Sequence, residues 1–420
     1  MNADTAMVPT ADSAPQLGVA RLFAAGPEAR HRDHLAAYGP LPDPGNASAF
    51  LSALEASGLT GRGGAGFSSW RKFAAVEQAR RTRRYTPRAG GPVLVANGAE
   101  GEPLSFKDAT LLHSSPHLVI DGLLAAARVL GASKMVIYTA AANLEPVAAA
   151  LAERPQARDI EPVASPEAFI SGQASAVVNF LETGRALPTD PAGRLAARGF
   201  KGRPTLIHNA ETWAHIALIA RYGGSWFRRL GTPGDPGTRL LSITGDVPAE
   251  LVLEVPGGAL LEGVLASAGV RPDAVCAVLV GGYHGRWVRP AGTVLDVAGG
   301  AAASSVRPGA GVVHVMGHGR CGLAETARIV GYLAGQSARQ CGPCLFGLPA
   351  LAEVMLRLAA GRGGPELVRE VNRLSALVAG RGACHHPDGT VQLIHSALET
   401  FADDVPWHLA GQCQASGGAL

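Results

Sequence analysis

The chain holds six cysteines in 420 residues, too sparse a set to staple a fold with disulfides, so their chemistry depends on where they cluster. Cys341-Gly342-Pro343-Cys344 opens a helical stretch, and Cys384 follows 40 positions later in a loop. Thiolates at such spacing suit an iron–sulfur cluster or zinc. Two other readings stay open. A redox dithiol needs a βαβ context that this region lacks, and the pair could be inert buried thiols. Cys276 lies in the apolar run Ala274 to Val280 and reads as core, while Cys321 is ambiguous. His385 and His386 adjoin Cys384 and read as incidental neighbours.

A second chemical signal is Gly61-Arg62-Gly63-Gly64-Ala65-Gly66-Phe67. Glycines at this density let the backbone turn sharply and approach a ligand without Cβ clashes. Successive N–H groups entering a helix then suit a phosphate, and Arg62 and Lys72 could add charge. A tight structural turn would look the same. A third signal is the polar loop Asn97-Gly98-Ala99-Glu100-Gly101-Glu102-Pro103 with Ser105 to Asp108. It follows a strand pattern, and loops at the carboxyl ends of parallel strands commonly form a ligand crevice.

These segments need elements to position them. The expected helix Ser68 to Arg80 carries the glycine loop, and the strand Pro92 to Ala96 feeds the polar loop. Helix Leu118 to Leu130, strand Lys134 to Tyr138, and helices Leu144 to Glu153 and Gln173 to Glu182 continue an α/β alternation. Residues 17–58 read as short helices around a proline-rich turn. The character changes near Gly231 to Gly237. Beyond it, strands Arg239 to Thr244, Leu251 to Val255 and Ala274 to Val280 surround a helix at Leu260 to Ala268, an α+β pattern. After Gly317 to Arg320 four helices follow: Leu323 to Ala334, Leu348 to Ala360, Leu367 to Val378 and Thr390 to Phe401.

Bulk properties narrow the classes. A net charge of +3 argues against nucleic acid, and the cluster Arg80, Arg81, Arg83 and Arg84 reads as a solvated helix end. The most apolar stretch, Leu118 to Ala142, is interrupted by Asp121, Arg128 and Lys134, so no membrane insertion is expected. The first sixteen residues read as a tail without a signal peptide, and a cytoplasmic setting is expected.

Taken together, the motifs resemble a known family. Gly58 to Phe67 resembles the glycine signature of the flavin subunit of respiratory complex I, a family that includes flavin subunits of NAD-linked hydrogenases and formate dehydrogenases. Asn97 to Asp108 is similar to its Asn-Ala-Asp-Glu-x-Glu-Pro-Gly-x-x-Lys-Asp loop. Pro204-Thr205 with Asn209, Glu211 and Thr212 is similar to its Pro-Thr…Asn-x-Glu-Thr segment. Gln336 to Gly347 resembles its Glu-Ser-Cys-Gly-x-Cys-x-Pro-Cys-x-x-Gly. The resemblance runs in order from about residue 50 to 405.

It implies a Rossmann-like FMN domain over 48–235 after an N-terminal extension 1–47, a β-grasp-like SLBB domain over 236–318, a four-helix iron–sulfur bundle over 319–412 and a tail 413–420. It further implies that Gly61, Arg62, Gly63, Lys72, Asn97, Glu100, Gly172, Asn209 and Thr212 meet FMN. Gly64, Ala65, Phe67 and Glu102 would meet NAD(H), with Phe67 stacking on a ring. The implied activity is NADH oxidation, with electrons passing from NAD(P)H by FMN to a cluster, a 4Fe-4S centre by expectation, and on to a ferredoxin-like or other iron–sulfur partner. No side-chain acid or base is required. The alternative is a non-catalytic electron-transfer module that takes electrons from a ferredoxin-like protein.

Four positions depart from the family pattern. Ala99 replaces an aspartate. Gly172-Gln173-Ala174 replaces Gly-Glu-Glu. The Lys-Pro-Pro-Phe-Pro segment is missing from 188–198. Ala338 replaces the first cysteine of the triplet, which leaves Cys341, Cys344 and Cys384 as implied ligands and Cys413 as the expected fourth.

Overall fold

The computed structural model of the chain describes residues 19–82, 90–189, 193–297, 304–415 and 418–419. The expected N-terminal tail, and Arg83 and Arg84 of the basic cluster, lie outside the described residues.

Helices α1 (His31–Tyr38), α2 (Ala47–Ser57) and α3 (Ser69–Thr82) precede the first sheet. Strands β1 (Val93–Gly98), β2 (Lys134–Ala140), β3 (Ile160–Ser165) and β4 (Thr205–Asn209) form it, all parallel, in the order β3-β2-β1-β4. Between and after them run α4 (Lys107–Ser114), α5 (Pro116–Leu130), α6 (Leu144–Ala152), α7 (Ala174–Thr183) and α8 (Ala210–Phe227). Parallel strands need crossovers, so helices cover the sheet faces. The order reverses beside β1, and the loops after β1 and β4 open side by side at that point.

Helix α5 starts with Pro116 at its first position and ends on the left-handed Gly131. It is buried on nearly every face, because α8 packs along it and β1, α1, α2 and α3 enclose the rest. Asp121, within this helix, is buried too. Arg154 donates to it at 2.5 Å, His34 lies 2.7 Å away, and Arg221 of α8 completes the group. Burial opposes its charge, but His34 and the two arginines outweigh that and hold its pKa below the usual carboxylate range.

A second sheet is mixed. Strands β5 (Thr238–Gly245), β6 (Leu251–Pro256), β7 (Val275–Val280), β8 (Arg286–Val288) and β11 (Val312–Gly317) lie in the order β6-β5-β11-β7-β8, with only β5 and β11 parallel. Helix α9 (Leu261–Ser267) and a two-stranded ribbon, β9 (Val294–Leu295) with β10 (Ser305–Val306), share its core. Helices α10 (Gly322–Gly335), α11 (Leu348–Ala359), α12 (Glu366–Val378) and α13 (His386–Thr400) follow, joined by short links. A final turn, α14 (Val405–Leu409), leads to the paired β12 (Gln412–Cys413) and β13 (Gly418–Ala419).

Elements expected from pattern appear within a few residues of their expected bounds. Strands β3, β4 and β11 and helices α4 and α8 go beyond that expectation. The second half of the polar loop, from Lys107, is the start of α4.

Buried Glu254 of β6 fastens the N-terminal segment to this second sheet. Its carboxylate accepts from the Leu22 N–H at 2.8 Å and from the Thr238 hydroxyl at 2.5 Å. Burial pushes its pKa up to about 8, although both donors pull the other way. A raised carboxyl pKa gives stability that is complete below the unfolded value near 4.5 and is lost as pH climbs to about 8. The expected result is a Tm that falls across that window. Glu254→Gln should flatten the fall, as read by thermal unfolding at fixed ionic strength. An unchanged slope would reject this role.

Candidate functional site: a glycine-loop cleft and a thiol cluster

The cleft forms where the glycine loop meets the ends of β1 and β4. The Gly61 N–H donates to Phe67 O at 2.8 Å, closing the loop on itself. The Arg62 N–H donates to the Thr212 hydroxyl at 2.9 Å, pinning the loop to the first turn of α8. Gly64 sits at φ +104° and Gly66 at φ +61°, a region that L side chains avoid. Among the described residues, none accepts a well-aligned hydrogen bond from the amides of Gly63, Gly64, Ala65 and Gly66.

Lys72 adds charge near Phe67, the residue that ends this loop. Its ammonium lies 5.8 Å from the centre of the Phe67 ring and donates to Ile207 O at 3.3 Å. Burial lowers its pKa, and among the described residues no carboxylate stands within 4.0 Å of it. Phe67 itself is 51% exposed at the mouth of the loop. Open amides, a half-buried ammonium without a carboxylate and an exposed ring fit the phosphate and ring of a flavin nucleotide.

Asn97 and Asn209 close the floor. Asn97 donates to Gly172 O at 2.8 Å, which brings the Gly172 loop alongside β1. Asn209 caps α8, accepting from the Glu211 N–H at 3.1 Å, and donates to Asn97 O at 3.2 Å and to Asp108. A Cβ on Gly63 would lie 3.2 Å from Asn209 Cβ, so glycine is what lets the loop settle here.

Two of the residues expected to meet a ligand have side chains held by protein groups. The Arg62 guanidinium is buried against the Thr60 hydroxyl (3.1 Å), Pro236 O (3.0 Å) and Asp235 (3.4 Å), with Glu211 at 4.0 Å. Burial and neighbouring Arg239 lower its pKa to about 10, against the pull of both acids. Glu100 accepts from Ser105 (2.7 Å) and from the N–H groups of Asp108 (3.0 Å) and Ala109 (2.9 Å), so it caps α4. Both residues hold the cleft walls in place. Glu102 accepts from the Tyr283 N–H at 2.7 Å, joining the polar loop to the second sheet. Burial pushes Glu102 up to about 7.

One group is invisible to sequence reasoning. Lys107 is buried between Asp108 (2.8 Å), Glu211 (2.9 Å) and Asn209 (3.2 Å). Burial opposes its charge, but Asp108, Glu211 and Glu100 outweigh it and raise its pKa. Lys107-Asp108 and Asn-x-Glu-Thr are visible as motifs, yet nothing local says that they meet. Gln173 also has a structural task, capping α7 through the N–H groups of Ser175 (2.7 Å) and Ala176 (2.9 Å).

The thiols lie at the other end of the chain. Cys344 is buried in a π-turn, Pro343–Gly347, that runs straight into α11. Cys341 hydrogen-bonds to Cys344, and Cys384 lies close enough to act on it by charge. Burial, then Cys341 and Cys384, push the Cys344 thiol up to about 12. Burial also raises Cys341, but the Ala383 and Cys344 amides outweigh it and lower its pKa. Three thiols in one neighbourhood, with the buried one pushed up by burial and by the other two, are a suitable donor set for iron. Cys413, expected to be the fourth, is grouped instead with Cys321 and His408. His385 is exposed and faces Asp388 at 3.5 Å.

Comparison with known proteins bears on both centres. Residues 54–218 match the family model described as the Nuo51 FMN-binding domain, and residues 324–408 match the NADH-ubiquinone oxidoreductase-F iron-sulfur binding region. Both matched models describe parts of the complex I flavin subunit, so the chain is similar to that family over its flavin region and its iron–sulfur region. Among members of this family, an NADH-quinone oxidoreductase subunit of Rhizobium meliloti is 29% identical over 379 residues, covering 86% of this chain and 88% of the relative. The NAD-reducing hydrogenase HoxS subunit alpha of Cupriavidus necator is 34% identical over 238 residues, 53% of this chain and 38% of that protein. The structure of an air-oxidised NAD+-reducing [NiFe]-hydrogenase superposes with a TM-score of 0.79 at 26% identity. The superposition covers 88% of this chain but only 64% of that one, under two thirds of its length.

Proposed function

We propose that the chain is an NADH-oxidising electron-transfer subunit that holds FMN in the glycine-loop cleft and an iron–sulfur cluster at Cys341, Cys344 and Cys384. The observation that carries the reading is the row of open amides from Gly63 to Gly66, followed by Phe67 with the half-buried ammonium of Lys72 near its ring. FMN, when bound, supplies two-electron acceptance from a hydride and one-electron release to a cluster.

The protein's part is placement and electrostatics. The loop amides and Lys72 hold the phosphate and favour negative charge on the flavin. Asn97, Asn209 and Thr212 fix the loop and the strand ends, with Gly172 against Asn97. Gly64, Ala65 and Phe67 border the open side, where a nicotinamide nucleotide would lie, and Glu102 anchors the adjoining wall. Arg62 and Glu100 act as supports for these residues. The reading divides the chain into a Rossmann-like FMN domain (48–235), a β-grasp-like SLBB domain (236–318) and a four-helix bundle (319–412). The all-parallel first sheet, the mixed second sheet and the four consecutive helices support it. The electron acceptor is a ferredoxin-like or other iron–sulfur protein in a cytoplasmic setting. Among the described residues no helix is long and apolar enough to cross a membrane.

A second reading draws on Ala99 and Gln173, which carry no carboxylate where the family pattern has one. It keeps flavin, or only the cluster, and takes electrons from a ferredoxin-like protein instead of NADH. Anaerobic mixing of the flavin-loaded protein with NADH separates the two. Bleaching of the flavin band within the mixing experiment is expected. Bound flavin that stays oxidised with NADH, yet bleaches with reduced ferredoxin, would replace the first reading by the second.

A further inference from the structure

Cys321, His408 and Cys413 come from distant parts of the last third of the chain, yet their ligand atoms all lie within 4.8 Å of one another. Cys321 is the residue before α10, where its sulfur accepts from the Ala324 N–H at 3.4 Å. The helix start turns backbone N–H groups toward that sulfur. His408, on α14, is fully buried. Its Nδ1 lies 2.9 Å from Ala359 O, a carbonyl that can only accept, so Nδ1 carries the proton. The bare Nε2 then points at the Cys321 sulfur, 3.2 Å away. Cys413, on β12, is 4% exposed.

From this geometry we propose a mononuclear zinc site, Cys321–His408–Cys413, separate from the iron–sulfur centre. Two thiolates and a neutral imidazole are soft and borderline ligands that suit Zn2+. They also cancel the ion's charge, which a buried site requires. The imidazole is oriented by a backbone carbonyl, as metal-bound histidines are. Three protein ligands leave the fourth tetrahedral position to a water molecule on the Cys321 side, the least buried of the three. The ion ties the end of the chain to the head of α10.

The site assigns Cys413 to zinc and away from iron, so metal analysis decides the matter. The full-length protein, purified anaerobically and reconstituted with iron, sulfide and zinc, should retain a single zinc ion after desalting. Cys413→Ser and Cys321→Ser should each lose zinc with iron and sulfide unchanged. Cys384→Ser should lose iron and keep zinc. Cobalt(II) offered to the wild-type protein in place of zinc should give a thiolate charge-transfer band that His408→Ala shifts or abolishes. This cobalt readout does not depend on the cysteine variants folding. Wild-type protein that takes up neither zinc nor cobalt overturns the proposal. So does a folded Cys413→Ser variant that loses iron and retains zinc.

Discussion

Replacing Gly64 with valine is expected to yield folded protein that has lost its yellow colour. Gly64 lies at φ +104°, where a side chain costs about 1–2 kcal/mol and a β-branched one is worse. The space around it is ordinary, since the nearest atom to an added Cβ is 3.7 Å away. The valine would therefore not plug the cleft. It would relieve its strain by rotating the neighbouring peptides, and those peptides carry the open amides. One charge-assisted hydrogen bond lost, at about 1.5–3 kcal/mol, is roughly 10- to 100-fold in affinity for the phosphate. The flavin-to-protein absorbance ratio of reconstituted variant and wild type is the measurement, with circular dichroism as the control for folding. Full flavin content in the variant would mean that these amides do not hold the cofactor.

The second large effect is expected at Cys344. Changing it to serine should reduce iron and sulfide to background while flavin content stays near wild type. The thiol is buried, and its pKa is pushed up to about 12 by burial, Cys341 and Cys384. Without a cation, the neighbouring Cys341 and Cys384 disfavour negative charge on the Cys344 sulfur. Bound iron removes that conflict and draws all three into the thiolate form. A serine hydroxyl ionises far less readily and binds iron poorly, and with Ala338 in place of the family's first cysteine no nearby thiol can substitute. NADH should still bleach the flavin in this variant, while transfer to one-electron acceptors should collapse. Undiminished iron would place the cluster elsewhere.

How much of this is legible in the sequence follows from how local each signal is. The glycine loop, the polar loop and Cys341 with Cys344 are contiguous motifs, and each lies where the fold needs it. Helix α10 and its successors show one apolar face, so periodicity locates them. Strand β4 and the first half of helix α8 are buried on all sides, which erases periodicity and hides them, although Asn209 and Thr212 stand out by type. Arg62 and Glu100 show a different limit. An arginine that grips phosphate and one that grips a carboxylate look alike in sequence, and Asp235 lies 173 residues from Arg62. A glutamate that caps a helix is equally indistinguishable from one that meets a ligand. The same holds for Cys321, ambiguous until α14 delivers His408 beside it.

Gly122, midway along α5, has no room for a Cβ, which would drive into the carbonyl of Trp213 on α8. The two helices therefore meet backbone to backbone, and Trp213 follows directly on Thr212, the residue that pins the glycine loop. The reach of the loop over its ligand is thus gauged from behind, by the thickness of a single hydrogen atom in the interior. Drift at the cleft among descendants of this chain could begin at a position that no cofactor ever touches.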